Sequence, residues 1–420
     1  MTRPRILASA FTCCPSGTLG FSGGEDILGW NLLKQIARFH EVWVLTHGQD
    51  RVSIELALQR EPVSNLNFHF VDLPKILRPF LRYQGGHQFY YYLWQLKAYA
   101  AARRLHRTWD FDLFHHITYA NDWMVSFIGA LLPIPYVRGP GGGAHRTPKG
   151  FEQEYSLPGR LWEKVRTLSQ WLFRHDPLFI RGQSRAKAIL VCNRESVAQI
   201  PAAWAHKIRI FPVNGISSED LALTGRGHAA DAGFRVLSAG SLIRVKGFGL
   251  AIKAFEEFAR KVPDSEFKII GSGPEESHLR SIVGRSRLQS KVLLLPAVAR
   301  DELLARMASC DVFLFPSLRD GGGAVVIEAM AAGKPVVCLD VGGPGMHVTD
   351  ECGIKVATHS PEDAAHQMAD ALERLHKDVT LRLKMGRAAR KRAEQVYHWD
   401  RLGEKLMETY RYALAPVGND

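Results

Sequence analysis

The chain has 420 residues, 46% of them hydrophobic and 23% charged, and a formal net charge of +12. That length exceeds one ordinary core and implies two domains. No apolar run reaches the ~20 residues that span a bilayer, and six cysteines without a C-x-x-C pair argue against a disulfide scaffold or a zinc site.

The charge is unevenly placed: residues 1–200 carry 24 Lys and Arg against 15 Asp and Glu, residues 201–420 carry 30 against 27. A basic surplus of this kind suits an anionic membrane surface, a phosphorylated acceptor or nucleic acid. The cysteine usage points to a reducing, cytoplasmic compartment. Met1–Arg5 followed by Ile6–Phe11 has some signal-peptide character, but the apolar part is too short and reads as a first strand.

In chain order, Arg5–Ala10 reads as a buried strand. A loop with Gly17, Gly20, Gly23 and Gly24 follows, then a helical pattern from Glu25 with Ile27, Leu28, Leu32, Leu33 and Ile36 on its inner face, then a strand over Glu41–Thr46. Strand, glycine loop, helix, strand opens a doubly wound parallel sheet. The loop is not a clean G-x-G-x-x-G; glycines ahead of a helix N-terminus serve either a tight turn or close approach to an anion or sugar. Residues 75–109 are aromatic and basic, reading either as core or as an amphipathic surface helix that touches lipid or a hydrophobic acceptor. A strand over residues 112–119 ends in polar groups, and ligands of open α/β sheets bind at such ends. His115 and His116 point to opposite faces of that strand, so at most one is expected to face a ligand. Gly139–Gly143 is a second glycine-rich loop, and 151–185 reads as helical with many aromatics and arginines.

Residues 215–233 are small and polar without periodicity and read as a linker. Strands then alternate with helices: Phe234–Ala239, Glu266–Ile270, Lys291–Leu295, Asp311–Phe315 and Pro335–Leu339 are the strands, which implies a second parallel sheet. After the first of these, Arg244 and Lys246 sit at the start of a helix. Cations there oppose the helix dipole at a cost of about 0.3–1 kcal/mol each; a bound diphosphate would reverse that sign. Gly271 opens a further strand-to-helix turn. Asp320-Gly321-Gly322-Gly323 is sharper, since three glycines exceed what a helix cap needs and expose backbone N–H groups. Glu328, eight residues after Asp320, lies in an otherwise apolar segment with Val325, Val326, Ile327, Ala329 and Met330. A carboxylate so placed needs a partner, and two acids at this spacing suit two sets of hydroxyls.

Asp320 to Glu328 followed by Ala-Met-Ala-Ala-Gly-Lys-Pro-Val resembles the acid-x7-acid motif of the family 4 retaining glycosyltransferases. Gly240–Gly247, Gly271–Glu275, Pro316-Ser317 and Gly342-Gly343-Pro344 also resemble that family in place, as does Gly23-Gly24-Glu25 near the donor phosphates. The resemblance implies an α/β GT-B fold, two Rossmann-like parallel-sheet domains facing an interdomain cleft that closes over the donor. It divides the chain into an acceptor-binding domain over 1–214, the linker over 215–233, a nucleotide-sugar-binding domain over 234–397, and a C-terminal helix over 398–420 that crosses back. It implies transfer of a sugar from a nucleoside diphosphate donor to an acceptor hydroxyl with retained configuration, without an obligatory metal or cofactor. Glu328 would hold the ribose hydroxyls; Asp320 with Gly321, Gly322 and Gly323 the transferred sugar; Lys246 the diphosphate. His116, with His115 as the alternative, would sit near sugar and acceptor.

Three features depart from the family. Its first acid is usually glutamate, which leaves the donor sugar open. Ser241 stands where an arginine is usual, with Arg244 as a substitute. The histidine register differs slightly. The partners expected are a nucleotide-sugar donor and a carbohydrate or lipid-linked acceptor in polysaccharide or glycolipid assembly, with peripheral contact to the inner membrane face and no nucleic acid. A sugar-nucleotide epimerase on the same scaffold and a non-catalytic nucleotide-sugar binding protein are the rival readings.

Overall fold

β1 (Arg5–Ala10), β2 (Glu41–Thr46), β3 (Leu66–Phe70), β4 (Leu113–Thr118), β5 (Tyr136–Gly141), β6 (Ala186–Val191) and β7 (Ile208–Ile210) form one parallel sheet in the order β3-β2-β1-β4-β5-β6-β7. β8 (Phe234–Ala239), β9 (Ser265–Ile270), β10 (Val292–Leu295), β11 (Val312–Phe315), β12 (Val336–Leu339) and β13 (Gly353–Val356) form a second, in the order β10-β9-β8-β11-β12-β13. The computed structural model describes residues 3–15, 23–82, 86–143, 145–154, 157–224, 233–286 and 288–415. Gly17, Gly20 and residues 225–232 of the expected linker lie outside them.

Parallel strands covered on both faces are apolar throughout. β11 (Val-Phe-Leu-Phe) and β12 (Val-Val-Cys-Leu) are buried at every position. β3 and β13 escaped the sequence reading because polar or small residues interrupt them: β3 carries Asn67 and His69 among exposed or half-buried positions, and β13 reads Gly-Ile-Lys-Val. Each sheet reverses strand order once, between β1 and β4 in the first and between β8 and β11 in the second. Such switch points open a crevice at the carboxyl edge.

The chain divides into two units, Met1–Ala144 with Val165–Val213 and Trp399–Asp420, and His145–Lys164 with Asn214–His398. The second unit takes up a segment that the sequence reading left in the first. Phe151 joins the core beneath β8, β9 and β11, and Glu163 receives both 2.8 Å bonds from Arg319. The helix Trp399–Leu414 belongs to the first unit. The Tyr410 hydroxyl bonds His115 at 2.7 Å, and Asp400 accepts from Arg38 and Gln35. Within the stretch read as linker, Ser218–Thr224 is a helix, and Thr224 donates to the Ala331 carbonyl at 3.1 Å.

The aromatic helix Gly86–Trp109 is core on one face: Tyr90, Tyr91, Trp94, Ala98, Ala101 and Ala102 are buried at helical spacing. Aromatic bulk was therefore a burial signal there. No helix among the described residues is long and apolar enough to cross a membrane, and all six cysteines are buried and outside any disulfide.

Candidate functional site

The second unit gathers four loops at the carboxyl edge of its sheet. β8 ends at Gly240 (φ +151°), and the chain runs through exposed Ser241 into a short turn, Arg244–Lys246, that ends on Gly247 at φ +68°. A Cβ at Gly247 would lie 2.2 Å from the Pro316 carbonyl oxygen. The loops after β8 and β11 therefore touch backbone to backbone, and only glycine fits the contact. Gly271, after β9, abuts the Gly240 carbonyl in the same manner: a Cβ there would lie 2.0 Å from its oxygen. Arg244 pairs with Glu275 at 3.1 Å, and a cavity of about 300 Å³ lined by Arg244, Lys253, Glu275 and His278 opens beside this turn.

Lys246 and Asp320 meet across the β8–β11 switch point. The Lys246 ammonium donates to an Asp320 carboxylate oxygen and lies 5.4 Å from the centre of the Phe315 ring. The other Asp320 oxygen accepts from the backbone N–H of Gly322 at 3.1 Å and of Gly323 at 2.7 Å. Burial pushes this carboxyl up, but Lys246 and the two N–H groups outweigh it and hold it below the usual range. Gly323 (φ +54°) starts the helix Ala324–Ala331. The loop after β12 closes from the other side: the Gly343 N–H donates to the Asp320 carbonyl at 2.9 Å. His347 at the end of that turn is buried. Its Nε2–H donates to the Gly322 carbonyl at 2.7 Å and its Nδ1 accepts from Tyr397 at 3.0 Å. Burial pushes His347 down to about 4, so it is neutral near pH 7. Sequence reading missed this support, since a lone histidine after Gly-Pro-Gly-Met carries no periodic signal.

Glu328 is 4% exposed within that apolar helix. Its partner is Arg300, which bonds one carboxylate oxygen of Glu328 and clamps Asp220 with a fork at 3.2 and 3.1 Å. Burial raises the Glu328 carboxyl above its usual range, with Arg300 opposing. Neither Arg300 nor Asp220 was found from the sequence. A signal existed for Arg300, because it is the first residue of the helix Arg300–Ala308, where a cation opposes the helix dipole as Arg244 and Lys246 do. Asp220 had none, because its helix lies in a stretch without periodicity. Ser241, Arg244, Lys246, Gly271, Asp320, Gly321, Gly322, Gly323 and Glu328 thus all fall on the carboxyl-edge loops of one sheet or on the helix that follows.

The first unit holds Gly23, Gly24, His115 and His116. Gly23 and Gly24 open the helix Gly23–Ala37. Its first turn adds Asp26, buried beside Asp50, with one carboxylate oxygen lacking a hydrogen-bond partner among the described residues. Burial, with Asp50 adding to it, pushes Asp26 up to about 7; burial and Asp26 push the half-buried Glu25 up to about 7 as well. Both histidines on β4 are buried. His115 donates to the Gly139 carbonyl at 2.5 Å and accepts from Tyr410, while His116 bonds the Tyr91 hydroxyl at 2.7 Å. Burial, then Arg138 and His115, pushes His116 down to about 3. The glycines of 139–143 have packing reasons: a Cβ at Gly139 or Gly141 would lie 2.2 Å from the carbonyl oxygen of Leu190 or Ala120.

Among the described residues no cluster of three His, Cys, Asp or Glu has metal-binding geometry.

The chain is 36% identical over 187 residues to a D-inositol 3-phosphate glycosyltransferase of Paenarthrobacter aurescens, covering 43% of this chain and 45% of that protein. It is 27% identical over 266 residues to the alpha-D-kanosaminyltransferase of Streptomyces kanamyceticus, covering 60% and 66%. The matches to the inositol-phosphate enzymes thus span about half the length of those relatives. Among solved structures, a sucrose-phosphate synthase from Thermosynechococcus elongatus superposes with a TM-score of 0.68 at 17% identity over 97% of this chain and 98% of that one. A glycosyltransferase from Rickettsia africae does so with 0.64 at 13% identity over 99% and 100%. Those likenesses, with the two parallel sheets, identify the fold as GT-B, and residues 227–392, which contain the site residues from Ser241 to Glu328, match the family described as glycosyl transferases group 1.

Proposed function

We propose that this protein is a retaining glycosyltransferase that moves a sugar from a nucleoside diphosphate donor to the hydroxyl of a carbohydrate or lipid-linked acceptor. The observation that carries the reading is the Lys246–Asp320 pair at the β8–β11 switch point, flanked by the Glu328–Arg300 pair. In this reading the diphosphate draws Lys246 and the backbone N–H groups ahead of the helix Phe248–Lys261. Asp320, released from the ammonium but still fixed by the Gly322 and Gly323 N–H groups, accepts from the sugar hydroxyls. Glu328 accepts from the vicinal ribose hydroxyls; Arg300 opposes the effect of burial on it and aims it. As the glycosidic bond breaks, negative charge grows on the leaving diphosphate. A fixed ammonium and helix N-terminal dipole stabilise that charge without rearrangement, which is work a metal does in other enzymes. His116, neutral near pH 7, acts as a hydrogen-bonding group toward sugar or acceptor and not as a cation. Gly23 and Gly24 allow close approach of donor or acceptor at the first unit's helix N-terminus. Retention and the acceptor class rest on the family resemblance.

Transfer and donor hydrolysis are measured separately over a panel of nucleotide sugars and acceptors, with Glu328→Ala, Lys246→Ala and His116→Ala. The expected result is transfer by the wild type. Glu328→Ala raises the donor Kd about tenfold or more, the scale of removing a charged hydrogen-bonding partner. Lys246→Ala lowers kcat about 100-fold, the scale of removing one preorganised charge stabiliser. His116→Ala lowers turnover with donor affinity kept. Donor binding without transfer to any acceptor would leave a binding protein, and interconversion of the donor sugar without an acceptor would leave an epimerase.

A further inference from the structure

We propose that the exposed apolar face of the helix Leu157–Arg174, from Val165 onward, docks this protein onto an anionic membrane surface. A helix on a globular protein normally turns its apolar stripe inward. Here the orientation is reversed. Val165 is 50% exposed, Leu168 58%, Trp171 56% and Leu172 57%. Positions 165, 168 and 172 recur at three and seven residues, one face of a helix, with Trp171 beside them. The polar residues of the same turns anchor inward: Gln170 is buried and donates to the Gly143 carbonyl at 3.2 Å, and Arg166 donates to the same oxygen at 3.3 Å. The following helix, Pro177–Arg185, adds Ile180 at 42% exposure.

The charge around this face selects the occupant. Residues 165–187 contain Arg166, Arg174, Arg181, Arg185 and Lys187 against Asp176 as their one acid. The Asp176 carboxylate is engaged in capping the second helix, accepting from the Leu178 N–H at 2.7 Å. Arg166, Arg174, Arg181 and Arg185 each spend an N–H on a carbonyl oxygen of the protein and keep their charge, so an apolar face of Leu, Val and Trp in a segment of this charge has the composition of a helix that lies in the membrane interface, where Trp rests at headgroup depth and cations meet anionic lipid. A second copy of this chain would bring the same cations against themselves. The aromatic face of Gly86–Trp109, for which the sequence leaves core and lipid contact open, is spent on the core, while Leu157–Arg174, read as helical with many aromatics and arginines, turns its apolar side out.

The test needs no donor or acceptor, so it stands or falls apart from the proposed activity. Full-length protein is sedimented with phosphatidylcholine vesicles and with vesicles of phosphatidylcholine and phosphatidylglycerol, at low and high salt. Expected is binding to the anionic vesicles that weakens in high salt. The double variant Leu168→Ser, Trp171→Ser is expected to bind about tenfold more weakly or worse, since two large apolar side chains leave the interface, with an unchanged circular dichroism spectrum and melting temperature. Val379→Ser, at an exposed apolar site of the second unit, is expected to bind as the wild type does. Wild type that stays in the supernatant at low salt overturns the proposal, as does undiminished binding by the double variant. A wild-type dimer in analytical ultracentrifugation that the double variant converts to monomer assigns the face to a second copy and overturns it equally.

Discussion

Asp26 shows what burial beside a second carboxylate does to a carboxyl group. It sits in the first turn of Gly23–Ala37, where burial and then Asp50 push it up to about 7 from the 3.8 of an unperturbed aspartate. The folded state therefore holds a proton that the unfolded state has released between those two values. Stability falls as pH rises from about 4 to about 7, because the native state binds more protons there. Asp26→Asn keeps the shape and removes the ionisation. The variant is expected to melt higher than the wild type at pH 8 and about equally at pH 4, by thermal denaturation across pH. Asp320 is the opposite case: Lys246 and two N–H groups hold it ionised against the effect of burial. The difference between a protonated and a charged acid lies in their neighbours, and for Asp26 no neighbour in sequence discloses it.

At the scale of elements, the second unit's site consists of four loops pressed together through glycines. Gly342 adopts φ +61°, and a Cβ there would lie 2.2 Å from the Asp320 carbonyl oxygen. Backbone, not a flexible side chain, receives the clash. Gly342→Ala is therefore expected to cost about 1–3 kcal/mol from the left-handed conformation alone, and to weaken donor nucleotide binding by displacing the Asp320 loop. Calorimetry and nucleotide titration of the purified variant check this. A variant that melts lower yet binds nucleotide as tightly as the wild type would separate the loop contact from the site. Gly139 and Gly141 argue similarly: their close contacts are with the first unit's own backbone at Leu190 and Ala120, so a glycine run in sequence signals close approach without saying to what.

For the molecule as a whole, a nucleoside diphosphate that binds only the native state raises stability by mass action, about 2.7 kcal/mol at a hundredfold excess over Kd. A thermal-shift panel of nucleoside diphosphates and nucleotide sugars is expected to raise the melting temperature for one base above the others, with the shift abolished in Glu328→Ala. A shift that persists undiminished in Glu328→Ala would remove the assignment of Glu328 to the ribose.

What was legible in the sequence was whatever repeats or punctuates. Apolar strands buried on both faces, glycine turns and amphipathic helices alternate, and that alternation alone sufficed for two parallel sheets. Lys246, Asp320 and Glu328 stood out because each breaks a local rule: a cation at a helix start, an acid before three glycines, a carboxylate in an apolar helix. The tertiary structure alone decided who answers each of them. Arg300 reaches Glu328 from 28 residues earlier in the chain, and Asp220, which braces Arg300, from a further 80. His145–Lys164 joins the second unit through Phe151 and Glu163, and the helix Leu157–Arg174 turns outward a face that its sequence would place inside. Periodicity reports that a face is apolar. Only the packing of distant segments, set by the free energy of burying the whole chain at once, determines which apolar faces find cover and which charges find partners.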